Sequence, residues 1–262
     1  MKKLIIFDLD GTLAESKQPI DRGMVSLITQ LRYKFLIGII SGCDLSQFKE
    51  QFLKRYYLNK LSIWPKFEYD KRWPEFFILP TSGAQLWDVW GQSRIDEVYN
   101  NKLTLEEKVS IYNTWGWACK QTDVWDDLSG VDYGEIGEDR GSQVTFSMCG
   151  QDAPLEVKEK WDPDGSKRKQ IVEFMTAFPD VMREFEIRIG GTTSIDVTRK
   201  GIDKEYGVNQ LMKCLQINPD EVLFIGDALF EGGNDEAVKK TGVECRVTSG
   251  PKETKKIIME LL

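Results

Sequence analysis

The sequence predicts an α/β protein: a parallel sheet wound with helices and interrupted by an α+β insertion. Three observations predict it. Short apolar runs, "LIIF", "FLIGII" and "VLFI", each stop at an acid or at Ser-Gly. Segments of helical period alternate with those runs, which is the rhythm of a parallel sheet. In the middle of the chain that rhythm breaks off, and it resumes in the last quarter.

The elements follow in order. "LIIF" ends in Asp8 and Asp10, and Met24, Leu27, Ile28 and Leu31 recur at i, i+3, i+4 and i+7, predicting an amphipathic helix. "FLIGII" leads to Ser41-Gly42, Leu45, Phe48, Phe52 and Tyr56 mark a second helix, and "FFILPTSGAQLW" reads as a strand and turn. The insertion spans 87–188, leaving 1–86 and 189–262 for the sheet domain. Within the insertion Thr104-Leu-Glu-Glu107 has the form of a capping box. There "SQVTFSMC" alternates like a strand exposed on one face, and a helix starts at Ser166. "EFEIRI" and "TTSIDV" read as strands, "KEYGVNQLMKCL" as a helix, "EVLFIGD" and "GVECRV" as strands, and a charged helix closes the chain.

Composition excludes several classes. A net charge of −7 opposes general affinity for nucleic acid. The first apolar run is cut at Asp8, too short for a signal peptide, and no later run reaches membrane-spanning length, so a cytoplasmic protein is expected. Five scattered cysteines without a CxxC pair read as free thiols that fill core space. With no histidine in 262 residues, any catalysis rests on carboxylates, Lys, Arg, Ser or Thr, with a hard oxygen-bound cation. Seven of the eight tryptophans lie between Trp64 and Trp125, where packing outweighs sugar stacking as a reading, and "SKRKQ" reads as a wet helix face.

Parallel sheets gather functional groups at the carboxyl ends of their strands. Asp8, Asp10, Ser41 and Asp227 follow apolar runs, and Lys204 starts a helix. Gly11-Thr12 and Ser41-Gly42 can bring backbone N–H groups to a phosphate. Three carboxylates, a hydroxyl and an ammonium suit phosphoryl transfer with Mg²⁺. The same acids read as wet strand ends, and Lys204 as a solvated helix start, if each is taken alone.

"FDLDGTL" resembles the first motif of the haloacid dehalogenase superfamily, and "GDALFEGGND" its acidic fourth motif. "GGTTSIDVTRKGIDK" is most similar to the eukaryotic-type phosphomannomutase branch. The resemblance implies a Rossmann-like core with an inserted cap. It also implies that Asp8 is the nucleophile, Asp10 the general acid and base, Ser41 a phosphoryl ligand and Lys204 the group that holds Asp8. Mg²⁺ would be held by Asp8, Asp227 and the backbone carbonyl of Asp10, with Asn234 and Asp235 in support. In the cap, Arg140 falls on a phosphate-binding arginine, and Ser194 and Asp196 on sugar contacts. Two further arginines of the mutases fall on Gln151 and Tyr133, and the basic pair of the first loop on Lys17 and Pro19. Arg168 and Arg188 stand nearby as replacements.

Gln lacks the planar two-pronged grip of Arg. The expected function is therefore a Mg²⁺-dependent phosphatase acting on a small phosphorylated metabolite, a sugar phosphate. The alternative is a phosphomannomutase-type hexose-phosphate mutase. A non-catalytic binding protein stands third, since no nucleophile, acid or metal ligand is missing. The mutases pair through their caps, which implies a homodimer.

Overall fold

The computed structural model describes residues 1–60, 73–122, 124 and 133–262; Trp64 and Trp125 lie outside them. The chain forms two compact units, Met1–Asn100 with Asp203–Leu262, and Asn101–Ile202.

In the first unit β1 (Leu4–Asp8) lies between β10 (Val222–Gly226) and β2 (Leu36–Ile40), parallel to both. All five β1 residues are buried, as a central parallel strand covered on both faces requires. Its two faces separate by strand alternation. Ile5 and Phe7 join a cluster with Ile28, Phe52 and Ile257, while Leu4 and Ile6 join Val208, Leu211 and Phe224. The full order is β11-β10-β1-β2-β3-β4-β5, with β3 at Phe76–Leu79, β4 at Gln85–Gly91, β5 at Arg94–Asn100 and β11 at Glu244–Val247. Helix α1 (Arg22–Leu31) begins at Asp21, whose carboxylate accepts the Met24 N–H, and it buries the apolar stripe. The second helix runs as α2 (Leu45–Phe48), a π-turn at Lys49–Leu53, and α3 (Lys54–Lys60).

The second unit carries α4 (Leu105–Lys120), β6 (Gly137–Asp139), β7 (Gln143–Ser147), α5 (Leu155–Trp161), α6 (Ser166–Thr176), α7 (Pro179–Glu184), β8 (Phe185–Gly190) and β9 (Ser194–Arg199). Its antiparallel sheet has the order β6-β7-β9-β8. The Thr104–Glu107 capping box is formed at the start of α4, and Trp115 of that helix stacks on Phe146 of β7 at 4.4 Å.

The unit boundaries differ from those read in the sequence, and the reason is strand pairing. Trp87–Asn100 was expected in the insertion, yet β4 extends the core sheet antiparallel to β3, and β5 pairs antiparallel to β4. Residues 189–202 were expected in the core, yet β8 and β9 pair with each other and β9 with β7. Trp87 accordingly packs against the core cluster and donates its Nε1–H to Gln85.

Three further readings change. β7 is buried along its whole length, not exposed on one face, because it is an inner strand flanked on both edges. Cys43, Cys119 and Cys149 are buried as expected, but Cys214 is exposed and Cys245 half-buried. "SKRKQ" is not merely a wet face. Arg168 is only 5% exposed and its Nε donates to Asp162 at 2.7 Å, while its Nη1 donates to the carbonyls of Gly190 and Gly191.

That buried pair ties the start of α6 to the β8–β9 turn. Replacing Arg168 by Met leaves Asp162 buried without its counter-charge, a loss of about 3–5 kcal/mol. Urea unfolding followed by tryptophan fluorescence checks this; an unchanged midpoint contradicts it.

A second ion pair has a pH signature. Arg199 grips Glu107 with two bonds of 2.8 and 2.7 Å. Arg199 together with the Thr104 N–H holds the Glu107 carboxyl down to about 2. A carboxyl lowered in the folded state stabilises above its ordinary value, and that stabilisation is lost as pH falls through it toward 2. Because both side chains are partly exposed, the effect is small. Thermal melts between pH 5 and pH 3 are expected to fall less steeply for Glu107→Gln than for the wild type; parallel curves contradict the assignment.

Candidate active site

The site is built at the carboxyl end of β1. Asp8 closes the strand, buried to 2% exposure, and Lys204 at the first turn of α8 (Lys204–Leu215) reaches it from the other side of the chain. The Lys204 ammonium donates to Asp8 Oδ1 at 2.6 Å and to Asp235 Oδ1 at 2.5 Å. A fully buried lysine is tolerable because neighbouring carboxylates compensate its charge. Burial works to lower the Lys204 pKa, but Asp235 and Asp8 outweigh it and raise it above the ordinary lysine value.

Asp235 is fixed by a second contact, the Ala228 N–H donating to its Oδ2. Asp227, which follows β10, is half-buried, and Thr12 Oγ donates to its Oδ1 at 3.5 Å. Asp8, Asp227 and Asp235 offer oxygens all within 4.8 Å of one another. Burial raises the Asp8 carboxyl; Lys204 opposes this, and Asp235 and Asp227 add to it. Burial and Asp235 likewise raise Asp227. Asp8 Oδ2 is buried and makes no hydrogen bond among the described residues.

Gly11 is required where it stands. Its φ is +80°, and a Cβ there would lie 2.3 Å from Asp227 Oδ2. The Asp10 carboxylate makes its bonds outside the three-acid cluster. Asp10 Oδ2 accepts from Ser41 Oγ at 3.2 Å, and Oδ1 accepts from the Lys17 N–H at 2.7 Å and from Gln51 Nε2 at 2.9 Å.

Ser41 is 1% exposed and follows β2, and its Oγ also accepts the Cys43 N–H. Its loop, with Gly42, is braced by the turn after β3. There Thr81 and Ser82 take φ of 49° and 55°, a left-handed backbone that costs L residues about 1–2 kcal/mol each. They donate N–H groups to the carbonyls of Cys43 and Ser41, which hold the strained turn against the loop.

The structure therefore brings together Asp8, Asp10, Thr12, Ser41, Lys204, Asp227 and Asp235 from sequence-distant elements. Asn234 is exposed, with Oδ1 3.5 Å from the Lys204 ammonium, so it borders the cluster. The carboxylate of Asp10 faces Ser41 and Gln51; only its backbone carbonyl was expected near a metal. Gln51 was not singled out by any motif. Its one sequence signal is a polar residue set between Phe48 and Phe52 on an apolar stripe.

In the second unit Arg140 donates through Nε and Nη2 to Glu138 at 2.8 and 2.7 Å. Gln151 donates to the same Glu138 oxygen at 3.0 Å. Asp196 accepts from Thr145 at 2.7 Å, and burial raises its pKa against the pull of Arg140. Ser194 pairs with Ser147 across the sheet, and Tyr133 is exposed. Neither nearby arginine is a ready substitute: Arg168 is buried on Asp162, and Arg188 pairs with Glu186 at 2.7 Å.

Comparison with known proteins places this geometry in a family. The family model described as eukaryotic phosphomannomutase matches residues 132–262. The phosphomannomutase of Encephalitozoon cuniculi is 29% identical over 242 residues, covering 89% of this chain and 83% of that protein. That of Saccharomyces cerevisiae is 29% identical, covering 98% and 93%. Among solved structures, the N-terminally truncated IMP-nucleotidase of Plasmodium falciparum superposes with a TM-score of 0.71 at 18% identity, covering all of this chain and 70% of that one. A haloacid dehalogenase-like hydrolase of Bacteroides thetaiotaomicron gives 0.63 at 16% identity, with both chains covered in full. The chain, with its three-acid cluster gathered around a buried lysine, has the fold of a haloacid dehalogenase-like hydrolase and belongs to the eukaryotic phosphomannomutase family.

Proposed function

We propose that this chain is a hexose-phosphate mutase of phosphomannomutase type, moving a phosphoryl group through Asp8. The observation that carries it is the Lys204 bridge between Asp8 and Asp235, in a chain of this family. The ammonium occupies Asp8 Oδ1 and leaves Oδ2 without a hydrogen bond among the described residues. A carboxylate oxygen of Asp8 attacks phosphorus, the bond to the sugar oxygen breaks, and Asp10 gives a proton to that oxygen. Asp10 then takes the proton of the incoming sugar hydroxyl as the phosphoryl group leaves Asp8. Ser41 and the backbone N–H groups near Gly11, Thr12 and Gly42 hold phosphoryl oxygens, and Lys204 offsets their charge.

Mg²⁺ fits this donor set. Asp8, Asp227 and Asp235 are hard oxygen ligands gathered within 4.8 Å, with Asp8 Oδ2 buried and without a hydrogen bond among the described residues. The backbone carbonyl of Asp10 and Asn234 are the further candidate ligands. When bound, the ion supplies positive charge to the phosphoryl oxygens.

A second reading, a sugar-phosphate phosphatase, is favoured by the polar cluster of the second unit. Arg140 is paired with Glu138, which also takes the Gln151 amide, and Tyr133 replaces another expected arginine. A mutase must bind a bisphosphate in two orientations, so it needs a strong second phosphate site.

One assay separates the two. Mannose and glucose 1-phosphates and 6-phosphates are incubated with Mg²⁺, with and without hexose 1,6-bisphosphate. Inorganic phosphate and isomer are followed together. Isomer outpacing phosphate only when bisphosphate is present supports the mutase. Phosphate without isomer supports the phosphatase, and neither product from any of the four rejects both readings for hexose phosphates.

A further inference from the structure

We propose that Gln51 is a positioning residue that aims the Asp10 carboxyl, and that the π-turn at Lys49–Leu53 exists in this chain to present it. The proposal rests on the reading of Asp8 as nucleophile and Asp10 as general acid. Two independent features point to it. One is geometric: Gln51 is 4% exposed, and its Nε2 donates to Asp10 Oδ1 at 2.9 Å. A carboxylate only accepts, so the nitrogen end of the amide must face it. The other is backbone: the helix that carries Gln51 leaves α geometry for one π-turn centred on this residue. Such single π-turns concentrate at functional sites because the extra residue redirects one side chain.

The local wiring is costly, as functional wiring often is. Gln51 Oε1 is buried with no hydrogen-bond partner among the described residues, a penalty that a purely structural glutamine would avoid by facing solvent. The backbone carbonyl of Gln51 accepts the Ile20 N–H, so the same residue ties down the loop that contains Lys17. Lys17, at φ 58°, then donates its own N–H to Asp10 Oδ1.

The consequence is a division of labour between the two Asp10 oxygens. Oδ1 is occupied by two N–H donors, neither of which can accept a proton. Among the described residues Oδ2 bonds to Ser41 Oγ alone, a hydroxyl that can donate or accept. Oδ2 is thus the oxygen presented for proton transfer. As the bond from Asp8 to phosphorus forms and the ester bond breaks, the proton moves from Oδ2 to the leaving oxygen.

The test uses the full chain with Mg²⁺ and two aryl esters, phenyl phosphate and 2,4-dinitrophenyl phosphate. The first leaving group needs a proton from the enzyme and the second does not. kcat/KM is read because it reports through the step that breaks the ester bond. Gln51→Ala is expected to lower kcat/KM by about 10- to 100-fold on phenyl phosphate and by less than about 3-fold on the dinitrophenyl ester. Gln51→Glu, which keeps the shape but replaces the donor with an acceptor, is expected to show the same selective loss. An equal loss on both esters, or no loss on either, overturns the proposal. Wild type and Asp8→Asn behaving alike on both esters overturns instead the reading on which it rests.

Discussion

Asp8→Asn is expected to lower phosphoryl transfer by at least about 10³-fold and to leave the unfolding midpoint unchanged or higher. The amide cannot form the aspartyl phosphate, so loss of turnover follows from chemistry alone. The stability side follows from crowding. Burial and the neighbours Asp235 and Asp227 raise the Asp8 pKa, meaning that its charge is held against an opposing environment. A neutral, isosteric side chain removes that cost, while Lys204 keeps Asp235 as its counter-ion at 2.5 Å. Steady-state turnover of the sugar phosphates and urea denaturation are measured on the same preparation. Turnover close to that of the wild type would dismiss Asp8 as nucleophile; lost turnover with a collapsed midpoint would make the residue structural.

The second large effect is expected at Lys204. Lys204→Met keeps a long apolar stem but removes the one charge that bridges Asp8 and Asp235. The lysine and both acids are at most 2% exposed, so the acids lose their compensation without regaining water. Breaking a buried pair in this way costs about 3–5 kcal/mol. The urea midpoint is expected to fall accordingly, and turnover to fall with it, because neither Asp8 nor the phosphoryl charge is then held. Stability equal to the wild type would show that the two carboxylates tolerate each other unaided.

Much of the core was legible in the sequence because its signals are local. "LIIF" had to be a buried strand, and it is an interior strand of the sheet, between β10 and β2. Asp8 and Asp10 follow it two residues apart, and Gly11 makes the turn that only a residue without Cβ allows. The Thr104 capping box and the helix starting at Ser166 were likewise visible, because caps act within one turn.

Other features depended on partners that local pattern does not name. β7 reads as a half-exposed strand, but its burial was decided by β6 and β9 lying on either side. Arg168 sits in a basic run that resembles a wet helix face; only Asp162 and two carbonyls of the β8–β9 turn make it a buried tie. The unit boundaries shifted because β4 and β5 joined the core sheet while β8 and β9 joined the other. Strand pairing is a long-range choice that period-2 alternation leaves open.

By itself, the sequence determined the chemistry available to this protein: carboxylates, one hydroxyl and one ammonium at strand and helix ends, with no imidazole to compete. It determined the buried strand β1 too, since an apolar run ending in acids has few other places to go. Tertiary structure alone decided which acids share a cation and which stand apart. Lys204 and Asp8 are 196 positions apart yet 2.6 Å in contact, and Gln51 meets Asp10 across 41 positions. Those pairings exist because burial makes an unpaired charge or amide costly, so Lys204 and the Gln51 amide nitrogen are driven to the acids that the folded chain brings within reach.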